Sequence, residues 1–286
     1  HKYDYGVVLV VGGSPIYAGA PALAAMAALK AGAGLALVAA PSSAAPYIKG
    51  FYPDLIVHPV KAEWLDEDAA RQVAELGVLD RADVVVLGPG MGFSDATVAG
   101  FKELMSLVAG RGLRALIDAD GLRALGRLGP PSKRLDAALT PHGGEYRALT
   151  GGEAPRRLED AVEAARKLAS SYGAVVLLKG HRSIITDGRR VKVNRSGNPG
   201  MAVGGVGDVL SGLIAGFMAQ GASTFQACCA AAYVNGRAGD LAAAEMGYHF
   251  TASDLLEAVP KALRELEPWA SSYAERSAPA KPWRPG

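Results

Sequence analysis

Short apolar runs recur along this chain with helix-forming stretches between them. They are "VVLVV" (7–11), "LALVAA" (35–40), "DVVVLG" (83–88), "ALIDAD" (115–120), "AALT" (137–140) and "VVLLKG" (175–180). None alternates polar with apolar residues, as a strand with one wet face would. Strands apolar on both faces must be covered on both, and intervening helices supply the cover. The pattern predicts an α/β fold with a mostly parallel central sheet and helices on both faces. Helices are expected near 20–32, 95–109 and 157–171, and three more near 207–219, 223–244 and 253–266. "SIITDGRRVKVN" (183–194) differs, because its "DG" between β-branched runs signals a hairpin. An antiparallel edge is therefore expected after the parallel core. One domain over residues 1–268 is expected, with a Pro- and Ser-rich flexible tail over 269–286.

Composition excludes several classes of function. With 286 residues, 50% hydrophobic and a formal charge of +2, the chain has ample core and no electrostatic footprint for nucleic acid or an anionic membrane. The uncharged stretch from Val209 to Gly236 is broken by Gln220, Gly221, Ser223, Thr224 and Gln226 into pieces too short to span a bilayer. No secretory leader opens the sequence, and Cys228 and Cys229 read as unpaired thiols in a reducing compartment. The expectation is a soluble cytoplasmic protein. The first residue is His, which is compatible with a domain upstream.

In open α/β sheets ligands sit beyond the carboxyl ends of the strands, and there glycines and acid–base groups gather. "VVGGSPIYAGAPALAA" lacks the G-x-G-x-x-G spacing, and no acidic residue follows the next strand, so a dinucleotide-binding Rossmann site is disfavoured. "LGPGMG" (87–92) serves as a turn or as a place of close ligand approach. "LIDADGL" sets Asp118 and Asp120 two residues apart, facing the same way on an extended chain, for a metal–water cluster, ribose hydroxyls or simple helix capping. "LTPHGGE" leaves His142 with little core to enter, which favours a ligand role. "LLKGHRS" offers Lys179 to a phosphate or to solvent.

The densest signal is "NPGMAVGGVGDVLSG" (198–212), with five glycines, one carboxylate and a charge-free helix behind it. Free N–H groups and the positive end of the helix dipole make an anion hole there. The Lys and Ser/Thr of a P-loop are missing. Asp208 in the first turn is expected to stay ionised and to accept a proton from a nearby hydroxyl. Anion hole plus carboxylate is the equipment of phosphoryl transfer to an alcohol.

Together these motifs resemble the ribokinase-like superfamily, and within it the nucleotide-dependent NAD(P)H-hydrate dehydratases, over about residues 1–265. Two residues depart from that family's pattern: Val206 stands where Thr is usual, removing a hydroxyl from the phosphate, and Gly121 where Ala is usual. The resemblance implies repair of a hydrated nicotinamide ring. ADP, or ATP, phosphorylates the ring hydroxyl, and phosphate leaves as NADH or NADPH is restored. It implies Asp208 as base, with Gly205 to Gly207 as the anion hole. Lys179, Gly180, His181, Arg182, Ser183 and Gly207 would contact the nucleotide. Ala20, Gly90, Gly92, His142 and Asp208 would hold the hydrate. Mg²⁺ would accompany the phosphates, on ligands the motifs do not assign. A homo-oligomer, a tetramer, is implied, with an NAD(P)H-hydrate epimerase as domain or partner. The alternative is a small-molecule kinase of the same fold, acting on a thiazole or pyridine alcohol and leaving a stable phosphorylated product. An inactive nucleotide-binding module is disfavoured by the intact pairing of Asp208 with the glycines.

Overall fold

The computed structural model describes residues 2–131 and 136–266, so the tail expected over 269–286 lies outside the described residues. In chain order the elements are β1 (Val7–Val11), α1 (Gly19–Lys30), β2 (Leu35–Pro41), α2 (Ala45–Phe51), β3 (Ile56–Val60), α3 (Glu67–Glu75), β4 (Val84–Leu87) and α4 (Asp95–Gly110). Then follow β5 (Arg114–Ile117), α5 (Asp120–Leu128), β6 (Ala137–Leu139), α6 (Gly143–Thr150), α7 (Leu158–Tyr172) and β7 (Val175–Leu178). The hairpin β8 (Ile184–Thr186) and β9 (Val191–Val193) precedes α8 (Val206–Ala219), α9 (Thr224–Met246) and α10 (Ala252–Arg264).

The strands form one sheet in the order β3-β2-β1-β4-β5-β6-β7-β8-β9. Those from β1 to β7 pair in parallel, and the last two pairings are antiparallel, as the "DG" signal implied. Each apolar run feeds both cores. Val8 and Val10 belong to the core on the side of α1, α8, α9 and α10, whereas Val7, Leu9 and Val11 belong to the core on the side of α3, α4 and α7. Elements that escaped the sequence reading include β3, whose "IVHPV" carries a proline tolerable only at a sheet edge, and the helices α2, α3 and α5. Cys228 is buried and Cys229 half-buried, and both are free thiols. Among the described residues no helix is long and apolar enough to cross a membrane.

Two features of this architecture create the site. Strand order reverses at β1, which lies between β2 and β4, and the loops after β1 and β4 meet across the gap: Gly13 donates its N–H to the Pro89 carbonyl at 2.9 Å. A crevice at that switch point is where such sheets bind ligands. The second feature is the approach of α8 to the alanine-rich α1. A methyl at Gly212 would stand 2.0 Å from the Ala24 carbonyl oxygen, and one at Gly216 would stand 2.7 Å from the Ala31 Cβ. Only small residues let the two backbones close this far, and the contact fixes where α8 begins.

Gly212→Ala should therefore lower unfolding stability by about 1–3 kcal/mol, the usual cost of overpacking. Gly110→Ala is the control, because the space beside Gly110 is open and alanine favours a helix. Urea unfolding should show a loss for the first variant and no loss for the second.

Candidate active site

The start of α8 is an exposed set of donors. Gly205, its N-cap, has φ +92°, and a Cβ there would meet Ala252 at 2.7 Å and Leu23 at 2.9 Å, so only glycine fits. No side chain caps the helix, which leaves the N–H groups of its first turn for a ligand. Lys179, at the end of β7, brings its ammonium group to this spot: Nζ lies 3.4 Å from where a Cβ of Gly207 would stand. Donors, helix dipole and a cation converge on one anion-binding place.

Lys179 is held by carboxylates. Its Nζ lies 3.0 Å from Asp118 Oδ1 and 3.6 Å from Glu145 Oε2. Asp118 also accepts from Ser211 Oγ at 2.6 Å, which ties the end of β5 to α8. Burial alone would raise the Asp118 pKa, yet Lys179 and the hydroxyls of Ser211 and Thr140 hold it below the usual carboxylate range. Burial likewise opposes the charge on Lys179, and the carboxylates of Asp118 and Glu145 outweigh it, so its pKa is raised. Glu145 is lifted by burial to about 7, with Lys179 pulling down and Asp118 pushing up.

Asp208 is lifted to about 7 as well, by burial first and the Asp118 carboxylate second, against the pull of Lys179. This corrects the expectation that the helix dipole keeps Asp208 fully ionised. A carboxylate near 7 is better matched to taking a proton at neutral pH than an ordinary aspartate.

Asp208 stands where two cavities meet. The first, of about 700 Å³, lies at the switch point and is lined by Ala20, Gly90, Gly92, Trp64, Phe93, Asp120 and Arg123 among others. The second, of about 790 Å³, is lined by Lys179, Gly180, His181, Ser183, His142 and the run Gly204 to Gly207, over the ends of β5 to β7. Asp208 and Ala119 line both.

The structure thus brings most of the sequence candidates together, in two groups. Ala20, Gly90 and Gly92 share the first cavity. His142, grouped with them by resemblance, lines the second, beside Lys179. Its Nδ1 accepts the N–H groups of Gly144 (2.9 Å) and Glu145 (3.3 Å), so the ring caps α6. Burial, then Lys179, lowers the His142 pKa and keeps the ring neutral. Arg182 is exposed and lies outside both linings. Asp118 and Asp120 do not face one spot. Ala119 between them has φ +51°, which turns Asp118 into the second cavity and Asp120 into the first, where it accepts the Gly92 N–H at 2.8 Å.

Sequence reasoning missed Glu145 as a charged wall, Ser211 as a tether, and Asn235. The last sits inside an apolar run of α9, lines the second cavity, and has a buried Oδ1 with no hydrogen-bond partner. A ligand donor would satisfy that atom. Among the described residues, no group of three or more His, Cys, Asp or Glu side chains is placed to hold a metal ion. Mg²⁺ accompanying a nucleotide would rest mainly on phosphate oxygens and water.

Fold and site together define a ribokinase-like protein with a nucleotide-sized cavity on each side of a carboxylate. A ribokinase-like superfamily protein of Enterococcus faecalis matches with a TM-score of 0.79 and 26% identity, over 93% of this chain and 89% of its own. The sequence model of the NAD(P)H-hydrate dehydratases matches residues 8–261, and the chain belongs to that family. A bifunctional NAD(P)H-hydrate repair enzyme of Pyrobaculum aerophilum is 46% identical over 92% of this chain and 51% of its own length. An ADP-dependent (S)-NAD(P)H-hydrate dehydratase of Cenarchaeum symbiosum is 38% identical over 93% of this chain and 91% of its own. The chain spans about half the length of the bifunctional relatives it matches. An ADP/ATP-dependent NAD(P)H-hydrate dehydratase of Bacillus subtilis, crystallised with ATP and Mg²⁺, superposes with a TM-score of 0.81 at 25% identity, over 93% and 92% of the two chains.

The raised Asp208 pKa has a consequence for stability. A carboxyl whose folded pKa lies above its unfolded value of 3.8 disfavours folding once it must ionise, and the cost grows as pH rises from about 4 to about 7. Asp208→Asn removes that charge. Thermal unfolding at pH 8 should show the variant more stable than the parent, on the order of 1–3 kcal/mol, with the difference vanishing near pH 4.

Proposed function

We propose that this protein restores NADH or NADPH from the hydrated cofactor at the expense of a nucleotide. The observation that carries the reading is the position of Asp208, on the wall shared by the two cavities and one residue from the anion hole. The names of the 38–46% identical relatives support it independently.

The second cavity takes the nucleotide, along Lys179, Gly180, His181 and Ser183, with the terminal phosphoryl group against the N–H groups of Gly205 to Gly207 and the Lys179 ammonium. The hydrate enters the first cavity between Ala20, Gly90 and Gly92, with its ring hydroxyl towards Asp208. The carboxylate takes the hydroxyl proton as the oxygen bonds to phosphorus and the phosphoanhydride bond breaks, leaving the shortened nucleotide. The ring carbon–oxygen bond then breaks with loss of a ring proton, and inorganic phosphate departs far more readily than hydroxide. His142, on the nucleotide side by its lining, reaches the hydrate only where the two cavities join.

The family match over 8–261 supports one catalytic domain within 1–268. Mg²⁺ travels with the nucleotide, and an epimerase acting on the other hydrate epimer is the proposed partner, a reading supported by the bifunctional names of longer relatives. A homo-oligomer, a tetramer by resemblance, in the cytoplasm completes the proposal.

One assay tests it. Hydrated NADH is incubated with the protein, Mg²⁺ and saturating ADP or ATP, and the reduced-nicotinamide absorbance is followed. Absorbance should return, with release of phosphate and a higher rate for ADP. A stable phosphorylated product would support the alcohol-kinase alternative, and a rate with ATP at least equal to that with ADP would reverse the nucleotide choice.

Asp208→Asn keeps shape and removes the base. Because general-base catalysis is worth roughly a hundred- to ten-thousand-fold, kcat should fall at least a hundred-fold while ADP binding by calorimetry stays within a few-fold. Turnover within about ten-fold of the parent, below that range, would reduce Asp208 to a structural residue.

A further inference from the structure

Beyond Asp208, the first cavity opens towards side chains that the chemistry does not use. Its outer part carries Ile16, Tyr17, Trp64 and Phe93, of which Ile16 is 69% exposed, Tyr17 53% and Phe93 39%. Large apolar side chains this exposed and this close together mark a ligand surface rather than a core.

Two of these rings are held in place before any ligand arrives. Trp64 packs on Gly92, so closely that a Cβ at that glycine would lie 2.6 Å from the indole Cζ3. The loop that carries Trp64 is fastened to the end of β2, where Ser42 and Ser43 donate to the carbonyls of Ala62 (3.0 Å) and Glu63 (2.7 Å). Phe93 lies under the Arg123 guanidinium, whose carbon is 4.2 Å from the ring centroid. Arg123 is steadied by Asp120 at 3.1 Å, and Asp120 in turn accepts the Gly92 N–H. Aromatic surfaces ordered in advance bind a flat ligand at a smaller cost in side-chain ordering.

The dinucleotide hydrate has a flat group to offer. If its nicotinamide ring meets Asp208, its adenine end must lie outward in the same cavity. Resting on the function proposed above, we propose that Trp64 and Phe93 form a stacking site for the adenine half of the hydrate, with Arg123 facing its diphosphate. The site makes this enzyme selective for whole dinucleotide hydrates over the hydrated mononucleotide, although the mononucleotide contains every reacting atom.

The test compares hydrated NADH with hydrated reduced nicotinamide mononucleotide as substrates, at saturating ADP, in the full chain and in Trp64→Ala, Phe93→Ala and Trp64→Phe. The parent should favour the dinucleotide in kcat/KM by about ten-fold or more, the scale of one stacked base. Trp64→Ala and Phe93→Ala should each lose most of that preference, and Trp64→Phe should retain it. Phe93→Ala guards against a folding defect in Trp64→Ala, because Phe93 is partly exposed. Binding of NADH, measured by calorimetry, should weaken in the same two alanine variants. A parent that treats both hydrates alike, or alanine variants that keep the full preference, would overturn the stacking site while leaving the proposed function intact. A KM increase confined to ADP would place the nucleotide in this cavity and likewise overturn it. No turnover of either hydrate by the parent would remove both readings.

Discussion

The ammonium group of Lys179 ties together pieces of chain that are far apart in sequence. Through Asp118 it reaches the end of β5, through Glu145 the first turn of α6, and through the Asp118–Ser211 hydrogen bond the second turn of α8. Buried charges persist only when paired and hydrogen-bonded, and removing one partner leaves an uncompensated charge that costs about 3–5 kcal/mol. The cluster is therefore a strong constraint on geometry. It holds the end of the parallel sheet, the wall of the second cavity and the start of α8 in one arrangement, with the cation next to the first turn of α8.

That arrangement would be useless if α8 could not come close to the sheet. Glycines and alanines decide this. Gly212 and Gly216 face Ala24 and Ala28 of α1 and Ala31 at its C-cap, at distances that no larger side chain permits. The helix begins where the switch-point crevice ends, and so its first turn borders both cavities. Packing of small residues thus sets the position of Asp208, and the charges around Asp208 set its chemistry.

The sheet and most of its helices were legible in the sequence because each parallel strand is buried on both faces and therefore reads as an unbroken apolar run. β3 was not, since its exposed Ile56 and its Pro59 suit an edge and break the run. The glycine-to-helix junction before Asp208 was legible because a dense glycine cluster marks backbone that must bend sharply, as Gly205 does at φ +92°. Burial was not. The protonation of Asp208 depends on its burial first and then on Asp118 and Glu145, both far away in sequence, and no local pattern reports such a meeting. The pairing of Asp118 with Asp120 failed for a local reason instead. An extended chain would have aligned them, but Ala119 adopts a left-handed backbone and sends them into different cavities. Trp64 and Phe93 carried no signal because each is a lone aromatic in its own segment, and only the fold sets them beside one cavity.

Two carboxyls lifted to about 7 beside one lysine form a proton reservoir that responds to ligand charge. The negative charges of Asp118 and Glu145 both raise the cost of ionising Asp208. Lys179 moderates both. In the reaction proposed above, a phosphoryl group beside that ammonium group would add negative charge and oppose its pull on the carboxylates, which favours proton acceptance by Asp208. The residue is then strongest as a proton acceptor at the moment the phosphate is in place to be attacked. A carboxyl that titrates near neutrality also gives up its proton readily once the charge leaves. In that reading, a cluster that is costly to bury links the charge held in one cavity to the basicity of the wall it shares with the other.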